Sequence, residues 1–175
     1  ARKGPQVTGF ACSMNWCGRT TSRIRMTDAL FYHLERATLE SVLPGLLEKT
    51  LERGWRAVVR CGSRASVERL DEALWTYSEE SFLPHAADRE RASEQPVFLT
   101  DNDETPNGAD VLFLIDNAAA DAASLTPFTR CVTIFDGRDE TALAAAREFW
   151  KAVKAAGHEA TYWKQSSQGR WEKQA

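Results

Sequence analysis

The sequence contains no glycine-rich phosphate loop. The first strand-to-helix turn reads "YHLERATLE", with neither G-x-G-x-x-G nor G-x-x-x-x-G-K-[ST]. The second, "RCGSRAS", holds a single glycine. Histidine is scarce. His33, His85 and His158 stand apart, outside any H-E-x-x-H or triad-like setting, and each reads as a structural or surface residue. Cysteine is scarce too. Cys61 and Cys131 lie in apolar strand-like runs, as buried free thiols do. Cys12 and Cys17 have no matching pair at zinc-site spacing. With no disulfide framework and no signal-like apolar core, a reducing cytoplasm is expected. Apolar runs are short as well: the longest, "ADVLFLIDNAAADAA", is interrupted by carboxylates, far from the ~20 residues of a membrane span.

One stretch lacks acid altogether. Residues 1–25 carry Arg2, Lys3, Arg19, Arg23 and Arg25 and no Asp or Glu. They show no apolar periodicity either, so they read as a disordered or non-native leader. A transit peptide is the alternative, disfavoured by the lack of an amphipathic helix. Of 22 basic and 25 acidic residues in the whole chain, 17 and 25 remain after residue 25, leaving 17 − 25 = −8. A body of that charge is a poor bulk binder of phosphate backbones, so strong direct DNA binding is not expected.

What is present is an alternation of strands and helices. "ALFYHL" (29–34) reads as a buried strand. In 38–54, Leu39, Val42, Leu43, Leu46, Leu47 and Leu51 recur at helical spacing before Gly54, with Pro44 a candidate kink. "WRAVVRCG" (55–62) is a second strand, after which Ser63 or Ser66 caps a helix with Val67, Leu70, Leu74 and Tyr77 on one face. Residues 86–96 read as a loop and "VFLT" (97–100) as a strand. "DVLFLIDN" (110–117) is a central strand, "AAADAASL" a short helix and "RCVTIFDG" (130–137) a further strand. A strong helix over 139–157, a strand over 158–165 and a polar tail over 166–175 complete the chain. The pattern predicts one α/β domain over 26–165, a mostly parallel sheet flanked by helices.

Two features carry candidate function. On the last helix, at about 100° per residue, Ala142, Ala146, Phe149, Val153 and Ala156 share the core face. Arg147, Lys151 and Lys154 share another, with Trp150 between them. Cations one turn apart beside an aromatic suit an acidic peptide with an apolar anchor, although a solvated face is the ordinary reading. Trp75 and Phe82 are the second feature. Trp75 lies off the buried stripe of its helix, and Phe82 follows a polar "SEES" stretch. An enzyme reading rests on Asp116 and Asp136, each after an apolar strand, where paired carboxylates could hold Mg²⁺ for a nucleotide. Turn roles for both, with Asp139 capping the last helix, are the ordinary reading, since no Lys, Ser or Thr constellation accompanies them.

"MTDALFYHL", "RLDEALWTYSEESFLPH" and "AREFWKAVKAAG", in this order and spacing, resemble the chi subunit of bacterial DNA polymerase III holoenzyme over residues 26 to about 164. The resemblance implies a Rossmann-like fold without catalysis or cofactor. It implies an adaptor in DNA replication that grips the acidic, Phe-ended C-terminal tail of single-stranded DNA-binding protein. The tail site falls on Arg147, Trp150, Lys151 and Lys154. A second face, implied at Trp75 and Phe82 with Leu83 and Pro84 beside them, would dock the psi subunit, and through it the clamp loader, or an XPD-like helicase. Residues 1–25 have no counterpart in the family pattern, and 86–110 match it loosely.

Overall fold

The computed structural model describes residues 26–166 and 168–175. The leader assigned to residues 1–25, with Cys12 and Cys17, lies outside the described residues. Eight strands form one sheet: β1 (Asp28–Leu34), β2 (Ala57–Cys61), β3 (His85–Ala86), β4 (Val97–Thr100), β5 (Val111–Ile115), β6 (Arg130–Asp136), β7 (Glu159–Gln165) and β8 (Trp171–Lys173). Among the described residues the α-helices are α1 (Leu39–Glu52), α2 (Arg64–Thr76) and α3 (Glu140–Ala155).

The strand order is β3-β4-β2-β5-β6-β1-β7-β8. Every pairing is parallel except β7 with β8. The middle strands β2, β4 and β5 are buried at every position, as a parallel sheet covered on both faces requires. Period-2 alternation divides the core into two layers. Leu43 and Leu47 of α1 and Val67, Leu70 and Leu74 of α2 pack on Val59, Leu99, Phe113 and Ile134. Ala142, Ala146 and Val153 of α3 pack on the other face, against Phe31, Leu112, Leu114 and Phe135. β1 and β6 are neighbours whose following helices go to opposite faces, so a crevice opens at their carboxyl ends.

Local chemistry explains the helix ends. Ser63 Oγ accepts from the Ser66 backbone N–H (3.2 Å), which settles the cap of α2. Asp139 Oδ1 accepts from Thr141 N and Ala142 N (2.8 and 3.3 Å) at the start of α3. Helix α1 continues through Pro44. The segment read as a loop over 86–96 contains a 3₁₀ turn at Arg89–Arg91, and the short helix after β5 is a 3₁₀ turn at Ala122–Leu125.

The reading of 166–175 as a polar tail needs correction. Residues 171–173 pair with β7, Trp163 opposite Lys173 and Gln165 opposite Trp171. The Trp171 ring stands edge-on to Tyr32 at 4.8 Å. One aromatic and a backbone ladder hold an otherwise polar edge strand to the sheet.

The three histidines are structural or semi-buried. His158 Nδ1 accepts from Thr27 N (3.2 Å) and Nε2 donates to Ala122 O (3.0 Å), tying the start of β1 to the 3₁₀ turn. Burial pushes the Cys61 and Cys131 thiols up to about 12, so neither is a thiolate near neutrality.

Candidate peptide-binding site

The cationic stripe is laid over an aromatic floor. Asp139 fixes the first turn of α3, and burial of Ala142, Ala146 and Val153 fixes its rotation. Arg147, Lys151 and Lys154 are then left facing solvent. Trp150 sits at the boundary, half-buried, edge-on to Phe31 at 5.1 Å and to Tyr162 at 6.4 Å. Small residues on α3 set the helix close enough to the sheet for this contact.

Between α3 and the β6–β1–β7 face runs a groove of about 900 Å³. Arg147, Trp150 and Lys151 line it together, with Phe31, Phe135 and Leu143 supplying apolar surface. Lys154 does not line it; its Nζ lies 5.5 Å from the centre of the Trp150 ring, on the outer side. Lys151 Nζ pairs with Glu148 Oε1 (2.7 Å) on the same helix. Arg147 has no acidic partner among the described residues. The groove can therefore accept an extended chain that is acidic along one side and apolar at one point.

Three groove residues with polar side chains do not emerge from the helix wheel: His33 on β1 and Tyr162 and Lys164 on β7. His33 and Tyr162 hydrogen-bond through Nδ1 and the phenol oxygen. Lys164 Nζ pairs with Glu35 Oε1 (2.7 Å). Desolvation, with the Lys164 charge, holds the His33 imidazole below its ordinary value. The signal for these residues was period-2 alternation in β1 and β7, usable only once those strands are known to be neighbours.

The second candidate surface lies elsewhere. Trp75 is 57% exposed and Phe82 71%, and their rings sit 5.9 Å apart. Pro84 is half-buried beside them. Leu83 has to be withdrawn from this surface: at 2% exposure it belongs to the core under α2. The chain turns inward at Leu83, so consecutive side chains of "SFLPH" point opposite ways. The sequence missed His85, whose buried ring lies 4.9 Å from Trp75 and whose Nδ1–H donates to Leu83 O (2.7 Å). His85 is the platform that keeps Trp75 standing outward.

Asp116 and Asp136 meet at the rim of the β1–β6 crevice, as strand-end residues should. Each already has partners. Ser66 Oγ donates to Asp116 and Arg69 lies 3.5 Å away. Arg138 grips Asp136 in a bidentate pair (2.9 and 2.7 Å), which lowers the carboxyl below its ordinary range. Among the described residues no three His, Cys, Asp or Glu side chains gather as a metal site.

Comparison with known proteins decides the family. The model of the DNA polymerase III chi subunit, HolC, matches residues 26–161. The chain belongs to the DNA polymerase III chi subunit family. It is 32% identical over 141 residues to DNA polymerase III subunit chi of Escherichia coli (strain K12), covering 75% of this chain and 94% of that protein. It is 28% identical over 111 residues to the probable DNA polymerase III subunit chi of Rickettsia prowazekii (strain Madrid E), covering 63% and 66%. The chi subunit of Pseudomonas aeruginosa PAO1 is 27% identical over 113 residues, covering 65% and 77%. Membership in the chi family gives the chain an accessory role in DNA replication, within the polymerase complex. Strands β1 to β6, α2 with its Trp75–Phe82 pair and most of the groove lie inside the matched span, whereas Tyr162, Lys164 and β8 lie beyond it.

Proposed function

We propose that this chi-family chain is a non-catalytic tether. It holds the acidic, Phe-ended tail of single-stranded DNA-binding protein in the α3 groove and joins it to the clamp-loader side of the replicase. Arg147 and Lys151 receive carboxylates, Lys154 extends the cationic border, and Trp150 with Phe31 takes the phenyl ring. The observation that carries this reading is the groove itself. Cations and an aromatic floor converge on one side of a body that is otherwise acidic. Exposed charge pairs are individually weak and screened, so the affinity is modest and falls with salt.

Trp75 and Phe82, with Pro84 beside them, form the second docking surface. The psi subunit or an XPD-like helicase is its partner, the clamp loader being reached through psi. Two bare aromatics in contact, where few large apolar side chains are exposed among the described residues, support it. The adaptor works in the cytoplasm and needs no cofactor. No helix among the described residues is long and apolar enough to cross a membrane.

Calorimetric titration with a short aspartate-rich peptide ending in phenylalanine tests the tail site. Arg147→Ala and Lys151→Glu should each weaken binding about tenfold, the loss expected for one charge-assisted contact, with an unchanged melting temperature. Unchanged affinity in both variants overturns the assignment. Trp75→Ala or Phe82→Ala should abolish co-purification with the psi or helicase partner and leave peptide binding intact. The enzyme reading predicts a saturable thermal shift with nucleotide and Mg²⁺; none is expected.

A further inference from the structure

The groove has a second wall, on the sheet, that the helix stripe does not supply. β1 and β7 run parallel with Phe31 opposite Tyr162 and His33 opposite Lys164. Their side chains on the α3 face therefore stand in one row. Lys164, Tyr162 and His33 all line the groove across from Arg147 and Lys151. Lys164 is already engaged by a carboxylate, that of Glu35 at 2.7 Å, with both side chains partly exposed. Glu35 thus occupies the place an incoming acidic group would take.

His33 is held there by a close fit. Gly137, just after β6, comes so near that a Cβ built on it would lie 1.6 Å from His33 Nε2. Only glycine leaves room for the ring. On its other side the ring meets the Tyr162 phenol through Nδ1. A neutral imidazole has one nitrogen free to accept, so Tyr162 can spend its hydroxyl hydrogen on Nδ1. A protonated imidazole donates from both nitrogens. Nδ1–H then points at the phenol oxygen, and the phenol hydrogen turns toward an acceptor in the groove.

We propose that Lys164, Tyr162 and His33 form a second carboxylate-binding wall of the groove, guarded by Glu35, and that an acidic peptide bound there carries one proton from solvent onto His33. The proposal rests on the groove being a peptide site. Binding displaces Glu35 from Lys164 and gives the peptide carboxylate two partners, the ammonium and the freed phenol. The groups facing His33 are Glu35 in the bend just after β1, Lys164 and Tyr162 on β7, and Asp136 at the end of β6, itself paired with Arg138. Arg147 on α3 lines the same groove, near enough for its charge to act on the Tyr162 phenol. In the free protein, desolvation and Lys164 keep the ring neutral at physiological pH. An added anion favours the charged ring, so binding and protonation reinforce each other.

The test is calorimetry at constant ionic strength with the aspartate-rich, Phe-ended peptide, in buffers of differing ionisation enthalpy, from pH 8 down to pH 5.5. Wild-type protein should take up as much as about one proton on binding, and affinity should rise about 3- to 10-fold toward the acid end. His33→Gln and Tyr162→Phe should bind without proton uptake. Glu35→Gln should bind more tightly and Lys164→Met more weakly, each by about threefold or more. Glu35 and Lys164 are partly exposed, so their variants report even where His33→Gln fails to fold. Binding with no proton uptake, and with Glu35→Gln and Lys164→Met unchanged, overturns the second wall while leaving the helix stripe as a peptide site. Absence of any peptide binding by the wild-type protein overturns both.

Discussion

Gly137 and Leu83 show how single side chains decide what each surface can do. A methyl at 137 collides with the His33 ring, 1.6 Å from Nε2, and the ring is boxed in by Phe135 and Tyr162. Gly137→Ala should therefore cost about 1–3 kcal/mol as an overpacked site, seen as a lowered urea midpoint. Leu83 and Phe82 make the opposite contrast. Leu83→Ala should cost about 2–4 kcal/mol, because it empties a buried position under α2. Phe82→Ala should stay within about 0.5 kcal/mol of wild type, since 71% of that residue faces solvent. His33 also sets a pH dependence of folding. Its imidazole is held below the ordinary value near 6.5 in the folded state, so the unfolded chain binds the proton more readily. Stability from this group is present above about pH 6.5 and is lost as pH falls from there through the lower folded-state value. The melting temperature should fall between pH 7.5 and 5.5, and His33→Leu should flatten that fall.

At the scale of elements, α3 was the most legible part of the site and β8 the least. A helix turning about 100° per residue places Arg147, Lys151 and Lys154 together whatever surrounds it, and Asp139 caps where the pattern starts. Lys164, Tyr162 and His33 were not legible, because their meeting depends on β7 pairing with β1, a choice of neighbours made by the whole sheet. β8 hid in "SSQGRWEKQA", since an edge strand needs little apolar character and Trp171 was its one signal. Trp171→Ala should expose this: loss of the Tyr32 contact should cost about 1–2 kcal/mol and speed amide exchange at Tyr162 and Ser166, whose N–H groups donate to Ala175 O and Arg170 O. The turn inward at Leu83 was likewise invisible, because period arguments fail in a loop without a period.

For the whole molecule, alternating strands and helices sufficed to predict a mostly parallel α/β sheet, since uniformly apolar central strands need cover on both faces. Their order was not predictable, because β5 and β6 return between β2 and β1 rather than extending the edge. That order parts the two surfaces. The Trp75–Phe82 pair stands by β3 at one end, on the α2 face, while the groove lies by β7 toward the other, on the α3 face. With no shared partner residue, the free-energy changes of Trp75→Ala and Arg147→Ala should add within about 0.5 kcal/mol in the double variant, measured by peptide titration with and without the docked partner.

Between β3 and β7 lie β4, β2, β5, β6 and β1, which at the usual inter-strand spacing is a rigid span of about 30 Å. A ligand held at one end is thereby confined to a volume in which its local concentration at the other is on the order of millimolar. A groove that binds only micromolar-tight in isolation would then be filled nearly all the time once its target is delivered by the same assembly. It would still let go quickly when the assembly moves on. The sheet acts as a ruler, turning a weak grip into a high occupancy by distance alone.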